Sequence, residues 1–147
     1  MKCEPDAYSI DDLARDKKSS WEGVRNYQAR NFLRDQMQVG DLAFFYHSNA
    51  EPSGIAGIMK IAKAGYPDPF AFKADHKYFD PKSLPTKPQW FSVDVQFVEK
   101  FSHVIALTLL KADPKLKGML VLQKGSRLSI QPVSKAHFEH ILKNYPR

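Results

Sequence analysis

Trp21, Arg25 and Asn26 fall in one short stretch, Trp21-Glu22-Gly23-Val24-Arg25-Asn26, and this grouping carries the first chemical suggestion in the chain. Tyr46 and His47 end an aromatic run over residues 44–47, and Ser129 and Gln131 precede Pro132. Recognising a nucleic-acid base outside a duplex takes a flat apolar surface for stacking, hydrogen-bonding groups for the base edge, and cations for the neighbouring phosphates. All three kinds of group occur in these segments. Stacking on one aromatic side chain contributes ~1–3 kcal/mol per base, enough to offset much of the few kcal/mol needed to extrude one. Residue type alone leaves Trp21 and Tyr46 equally compatible with core packing, and Phe44 and Phe45, in mid-strand, read as core.

Other chemistries find little support. A phosphate-binding loop of the Walker type needs two glycines with four residues between them followed by Lys and Ser or Thr, which nothing here fits, and the glycines are also misplaced for a dinucleotide fingerprint. Of the five histidines, His137 and His140 alone are close; they lie i, i+3 on an expected helix without the Glu of a zinc-protease motif, so a solvent-facing role fits better. Cys3 has no local signature of a nucleophile. No metal and no cofactor are expected.

The 147 residues suit one domain, 1–147, with a core of ordinary size. A single Cys excludes an internal disulfide and a cysteine-based zinc site, and agrees with a reducing compartment. The apolar run at 104–110 is too short to span a bilayer and no signal peptide is visible, so no membrane partner is expected and the localisation is cytoplasmic in a bacterium or nuclear in a eukaryote. The net charge of +6, from 22 Lys and Arg against 16 Asp and Glu, favours a polyanionic partner. Its local sources are residues 15–34, with Arg15, Lys17, Lys18, Arg25, Arg30 and Arg34, and residues 111–127, which end at Lys124 and Arg127.

These groups need elements to position them. Ser9 caps a short helix over residues 10–15, with Asp11 and Asp12 in its first turn. Trp21 is expected in a polar loop, and Asn26 caps a helix running to about Met37, with Arg30 and Arg34 on one face. Residues 42–47 read as a strand, and residues 54–64 as another, with Gly54 and Gly57 marking a bulge or a close backbone approach. The proline-punctuated segment 65–88 is irregular and long enough to suspect of binding. Residues 90–98 alternate as a clear strand, residues 107–111 form a weak helix, and residues 124–133 give a turn and short strand closed by Pro132. Ser134 caps a last helix carrying Phe138, Ile141, Leu142 and Tyr145. The sum is α+β, five or six short strands closing a barrel with helices on its rim.

Five blocks in order now bear on family: Lys2-Cys3-Glu4-Pro5; Trp21-Glu22-Gly23-Val24-Arg25-Asn26-Tyr27-Gln28-Ala29-Arg30-Asn31; Gly40-Asp41 with Phe45-Tyr46-His47-Ser48; Tyr66-Pro67-Asp68-Pro69; and Gly125 with Arg127-Leu128-Ser129-Ile130-Gln131-Pro132-Val133-Ser134. Together they resemble the signature blocks of the EVE domain family, across nearly the whole chain. The resemblance implies a PUA-like pseudo-barrel, related to YTH and ASCH domains, with a pocket that in family members takes modified bases such as 5-methylcytosine or 5-hydroxymethylcytosine in DNA. Carried over by motif, that pocket draws on Lys2, Cys3, Trp21, Val24, Arg25, Asn26, Tyr46, His47, Ser48, Ser129, Gln131, Pro132 and Val133. We assign Trp21 and Tyr46 as stacking walls, Asn26, Ser129 and Gln131 as edge readers, and Arg25 and Arg30 to positions near phosphate. Arg15, Lys17, Lys18, Arg34, Lys124 and Arg127 complete the expected phosphate contacts.

Three positions depart from the family pattern. Cys3 stands where the family usually has Ser, a stronger hydrogen-bond donor; the first strand starts close to Met1 and is expected to be short; and Ala106 replaces a common capping Thr. The expected function is non-catalytic, monomeric binding of nucleic acid, DNA favoured over RNA, through a modified base. The competing readings are a pocket for a free nucleobase, nucleoside or other small ligand, and a small nucleotide or nucleoside hydrolase.

Overall fold

The computed structural model describes residues 1–125 and 127–147; Ser126, inside the expected turn and strand of 124–133, lies outside them. Among the described residues the chain forms five strands: β1 (Lys2–Cys3), β2 (Lys18–Trp21), β3 (Leu42–His47), β4 (Gly54–Pro67) and β5 (Phe91–Ala106). They make one sheet in the order β1-β3-β4-β5-β2, with β1 parallel to β3 and every other pair antiparallel. The described residues also form four α-helices: α1 (Ile10–Asp16), α2 (Tyr27–Asn31), α3 (Leu107–Ala112) and α4 (Lys135–Asn144).

The helix starts follow their caps. The Ser9 hydroxyl accepts from the Asp12 N–H at 3.1 Å while the Asp12 carboxylate accepts from the Ser9 N–H at 2.8 Å, a reciprocal capping box. Asn26 Oδ1 accepts from the Ala29 N–H, and Ser134 Oγ from that of His137. Past Asn31 the single helix expected to reach Met37 gives way to a π-helical turn, Phe32–Gln36.

Strand pairing corrects the sequence reading in three further places. Lys18–Trp21, expected as loop, is β2: its polar side chains hide a pairing dictated by the free edge of β5, where Ser20 faces Asp94 and Trp21 faces Val93. Strands β4 and β5 also run past their expected ends, to Pro67 and Ala106, because they pair with each other over nearly their full length. Residues 127–133 form no strand; this segment attaches to β1 where the Lys2 N–H donates to the Ser129 carbonyl at 2.8 Å, and Pro132 has no N–H to extend the ladder.

Register shifts in β4 at Ile55/Gly57, Ile58/Met59, Ile61/Lys63 and Lys63/Tyr66 bend the sheet strongly. Each glycine of β4 is required by the packing: a Cβ on Gly54 would strike the Ile105 carbonyl, one on Gly57 the Glu99 carbonyl and one on Gly65 the Leu33 carbonyl. Alternation along β3 splits the interior in two. Phe45 joins Leu13, Leu33, Met59, Val93 and Val95 in one cluster, while Phe44 and Tyr46 join Ile58, Phe101, Leu110 and Ile141 in another, under α3 and α4.

Candidate functional site

Strands β1 and β2 are opposite ends of the strand order, yet Lys2 and Cys3 of β1 and Ser19, Ser20 and Trp21 of β2 line one cavity of about 630 Å³. The bent sheet therefore curls until its edges flank a gap, and the cavity occupies that gap. Its volume lies in the ~300–1,000 Å³ range usual for small-molecule sites. Val24, Arg25 and Ser129 from the sequence-derived set also line it, together with Tyr8, His76, Lys77 and Tyr78.

Trp21 is half-buried, its ring edge-on to Phe45 with centroids 5.6 Å apart, so the core holds one side of a side chain that also faces the cavity. Next to it the chain is pinned by an ion pair that residue types alone did not reveal. Asp68, 0% exposed, accepts from the Gly23 N–H at 2.9 Å, from Arg25 Nη1 at 3.0 Å and from the Phe70 N–H at 2.9 Å. Arg25 Nε and Nη2 both donate to the Tyr78 carbonyl, at 3.2 and 2.7 Å, and its Nη1 also reaches the Val24 carbonyl. The guanidinium lies 5.3 Å from the ring centroids of both Tyr78 and Trp90. Arg25 thus clamps the 68–78 loop against the Trp21–Arg25 turn, and its donors are directed into the protein. Gly23 sits at φ +77°, and a Cβ there would strike the Tyr78 ring, so the clamp also explains the glycine.

Burial shapes the remaining wall. It holds the Lys2 ammonium below its ordinary range. It pushes the Cys3 thiol up, so Cys3 presents a neutral thiol, whose Sγ lies 3.7 Å from the Glu4 carbonyl. The Tyr8 phenol is likewise pushed up, and donates to Asp16 Oδ2 at 2.8 Å.

The other sequence-derived residues lie elsewhere. Asn26 uses its side-chain oxygen as the α2 cap. Tyr46 is buried on the opposite face of β3 from Phe45, beside a 40 Å³ void that Gln131 and Val133 also border. His47 Nε2 accepts from the Ile10 N–H at 3.1 Å, and burial holds its imidazole below the usual range. The Ser48 N–H donates to the Cys3 carbonyl, fastening β1 to the end of β3. Gln131 Nε2 donates to the Leu128 carbonyl, and Pro132 and Val133 border a groove under α4. Of the expected phosphate contacts, Lys17, Lys18, Lys124 and Arg127 are exposed: Lys18 begins β2, Lys17 precedes it, and Lys124 and Arg127 lie a few positions before Ser129. Arg15 pairs with Asp12 and Asp16, Arg34 with Asp35, and Arg30 with Asn31 and the Gln89 carbonyl.

Asp68, Tyr78 and Trp90 were missed as parts of the site. The signal was the Tyr66-Pro67-Asp68-Pro69 block and the long irregular segment behind it, but nothing in the residue types says that the Asp68 carboxylate is buried.

The EVE domain family profile matches residues 1–144. The chain belongs to the EVE domain family. This EVE domain is 43% identical to human thymocyte nuclear protein 1 over 97% of its own length and 71% of that protein's. Among solved structures, a Pseudomonas syringae protein superposes with a TM-score of 0.92 at 50% identity, covering 97% of this chain and 95% of that one. The human THYN1 protein, solved in complex with DNA containing 5-methylcytosine, gives 0.89 at 43% identity, covering 97% and 94%. The five-stranded mixed sheet with its rim helices is accordingly an α+β, PUA-like fold.

Proposed function

We propose that this EVE domain binds nucleic acid, DNA in preference to RNA, and takes one modified base, a 5-methylcytosine or 5-hydroxymethylcytosine, into the cavity between β1 and β2. It acts as a monomer, by binding and not by turnover. The observation that carries the reading is the placement of half-buried Trp21, with Lys2, Cys3 and Ser129, around one cavity at the mouth of the curled sheet. The human relative's complex with DNA containing 5-methylcytosine supports the choice of ligand.

In this reading Trp21 supplies the stacking surface, and Lys2, Cys3 and the cavity serines face the base edge. Arg25 and Asp68 keep the Tyr78 wall in place. Lys17, Lys18, Lys124 and Arg127 meet the flanking phosphates, so affinity falls as salt rises. Asn26, Tyr46, His47, Ser48, Gln131, Pro132 and Val133 serve by holding β1, α2 and the 127–133 segment in register.

The test is a titration of oligonucleotides carrying cytosine, 5-methylcytosine or 5-hydroxymethylcytosine against the wild type, Trp21→Ala and Lys2→Gln, with melting curves for each protein. A folded Trp21→Ala that loses the preference for a modified strand, by roughly tenfold or more, is the expected result. Unchanged affinity and preference in both folded variants would sink the reading.

A further inference from the structure

Beside the cavity the described surface carries a column of rings and guanidinium groups whose outer end the base pocket does not use. Arg25 forms its inner end, in the cavity wall, 5.3 Å from the Trp90 centroid. Tyr27 stacks on Trp90 with centroids 4.7 Å apart and planes 24° from parallel. The Arg30 guanidinium lies 4.9 Å from the Tyr27 centroid, held by Nε donating to Asn31 Oδ1 at 2.9 Å and Nη1 donating to the Gln89 carbonyl at 2.8 Å. Trp90 is fixed beneath: it is buried, and its Nε1–H donates to Asp80 Oδ2 at 2.7 Å.

The column is rigid where it meets the protein and reached by solvent at its outer end, where Tyr27 is 57% exposed and Arg30 half-buried. Covering Trp90 would need only an apolar side chain. An exposed aromatic ring paired with an anchored guanidinium is instead the surface on which unpaired bases stack, because every base has a π-face and both groups attract it. Continuity with the cavity wall through Trp90 and Arg25 makes the occupant a neighbour of whatever the cavity holds.

We propose that Tyr27 and Arg30 form a second nucleobase site, which stacks an unpaired base flanking the one in the cavity. This rests on the reading that the cavity takes a base. A base that leaves its own strand's stack for this surface-anchored ring and guanidinium gives up duplex stacking, so the preferred strand is single-stranded next to the recognised base.

Fluorescence anisotropy with three oligonucleotides tests it: a single strand with one 5-methylcytosine, the same strand with abasic residues on both sides of that base, and a fully paired duplex. Each is titrated with the wild type, Tyr27→Leu, which keeps Trp90 covered, and Tyr27→Phe, which keeps the ring. The wild type should lose about tenfold in affinity when the flanks become abasic. Tyr27→Leu should lose about tenfold on the complete single strand and nothing further on the abasic-flanked one, while its duplex binding stays that of the wild type. Tyr27→Phe should match the wild type throughout. The proposal is overturned if wild-type affinity ignores the flanking bases, if Tyr27→Leu binds the complete strand as the wild type does, or if it weakens equally on all three ligands. A wild type that binds the modified strand but ignores its flanks removes only the second site; one that binds no oligonucleotide removes the base reading as well.

Discussion

Arg25 and Asp68 organise the site residue by residue. The carboxylate is fully buried and the guanidinium side chain 22% exposed, so removing the cation leaves a buried charge with only two backbone N–H donors. Arg25→Met should therefore lower stability by about 3 kcal/mol in chemical denaturation, and Asp68→Asn should restore part of that loss in the double variant. Binding of a modified strand should weaken with it, as the Tyr78 wall loosens. His47 makes a pH prediction. Burial keeps its imidazole neutral in the folded state, where Nε2 accepts the Ile10 N–H. As pH falls through about 6.5 the unfolded chain takes up a proton that the folded protein resists, so this contribution to stability is full above that value and declines below it. The advantage of the wild type over His47→Gln in denaturation midpoint should shrink between about pH 7 and pH 5. An advantage that is constant with pH would contradict the neutral acceptor role. The sequence pointed to Trp21 and Arg25, and both line the cavity; it could not show that the Arg25 donors turn inward, because two of their three acceptors, Asp68 and the Tyr78 carbonyl, are some 40 and 50 positions away.

At the scale of elements, local chemistry was legible and edge pairing was not. Ser9, Asn26 and Ser134 mark their helices because capping depends only on the next few residues. Strand β2 escaped notice because Lys18-Ser19-Ser20 has no apolar alternation, and its existence depends on a partner, β5, far along the chain. Tyr46 fell on the opposite face of β3 from Phe45 for the simplest reason, a period of two. The bulges that curl the sheet make a further prediction. Gly57→Ala should push a methyl into the Glu99 carbonyl and the Ile10 side chain, costing about 1–3 kcal/mol and shifting the urea midpoint with little change in slope. A midpoint equal to that of the wild type would mean that β4 and β5 can separate there freely.

For the whole molecule, the curled sheet brings its two edge strands to either side of one cavity: the gap between β1 and β2 is where closure fails and where the cavity forms. The charge of +6 then acts at longer range. Binding should weaken about tenfold or more between roughly 50 and 200 mM salt, and Lys18→Gln should lower the slope of log affinity against log salt by about one. The central claim, that the base enters between β1 and β2, is tested most directly by amide and indole chemical-shift mapping with a strand carrying one 5-methylcytosine. The account predicts the largest shifts at Cys3, Ser19, Ser20, the Trp21 indole and Tyr78. Shifts confined to the groove under α4, at Ala43, Val133 and Leu142, with the Trp21 indole unmoved, would contradict it.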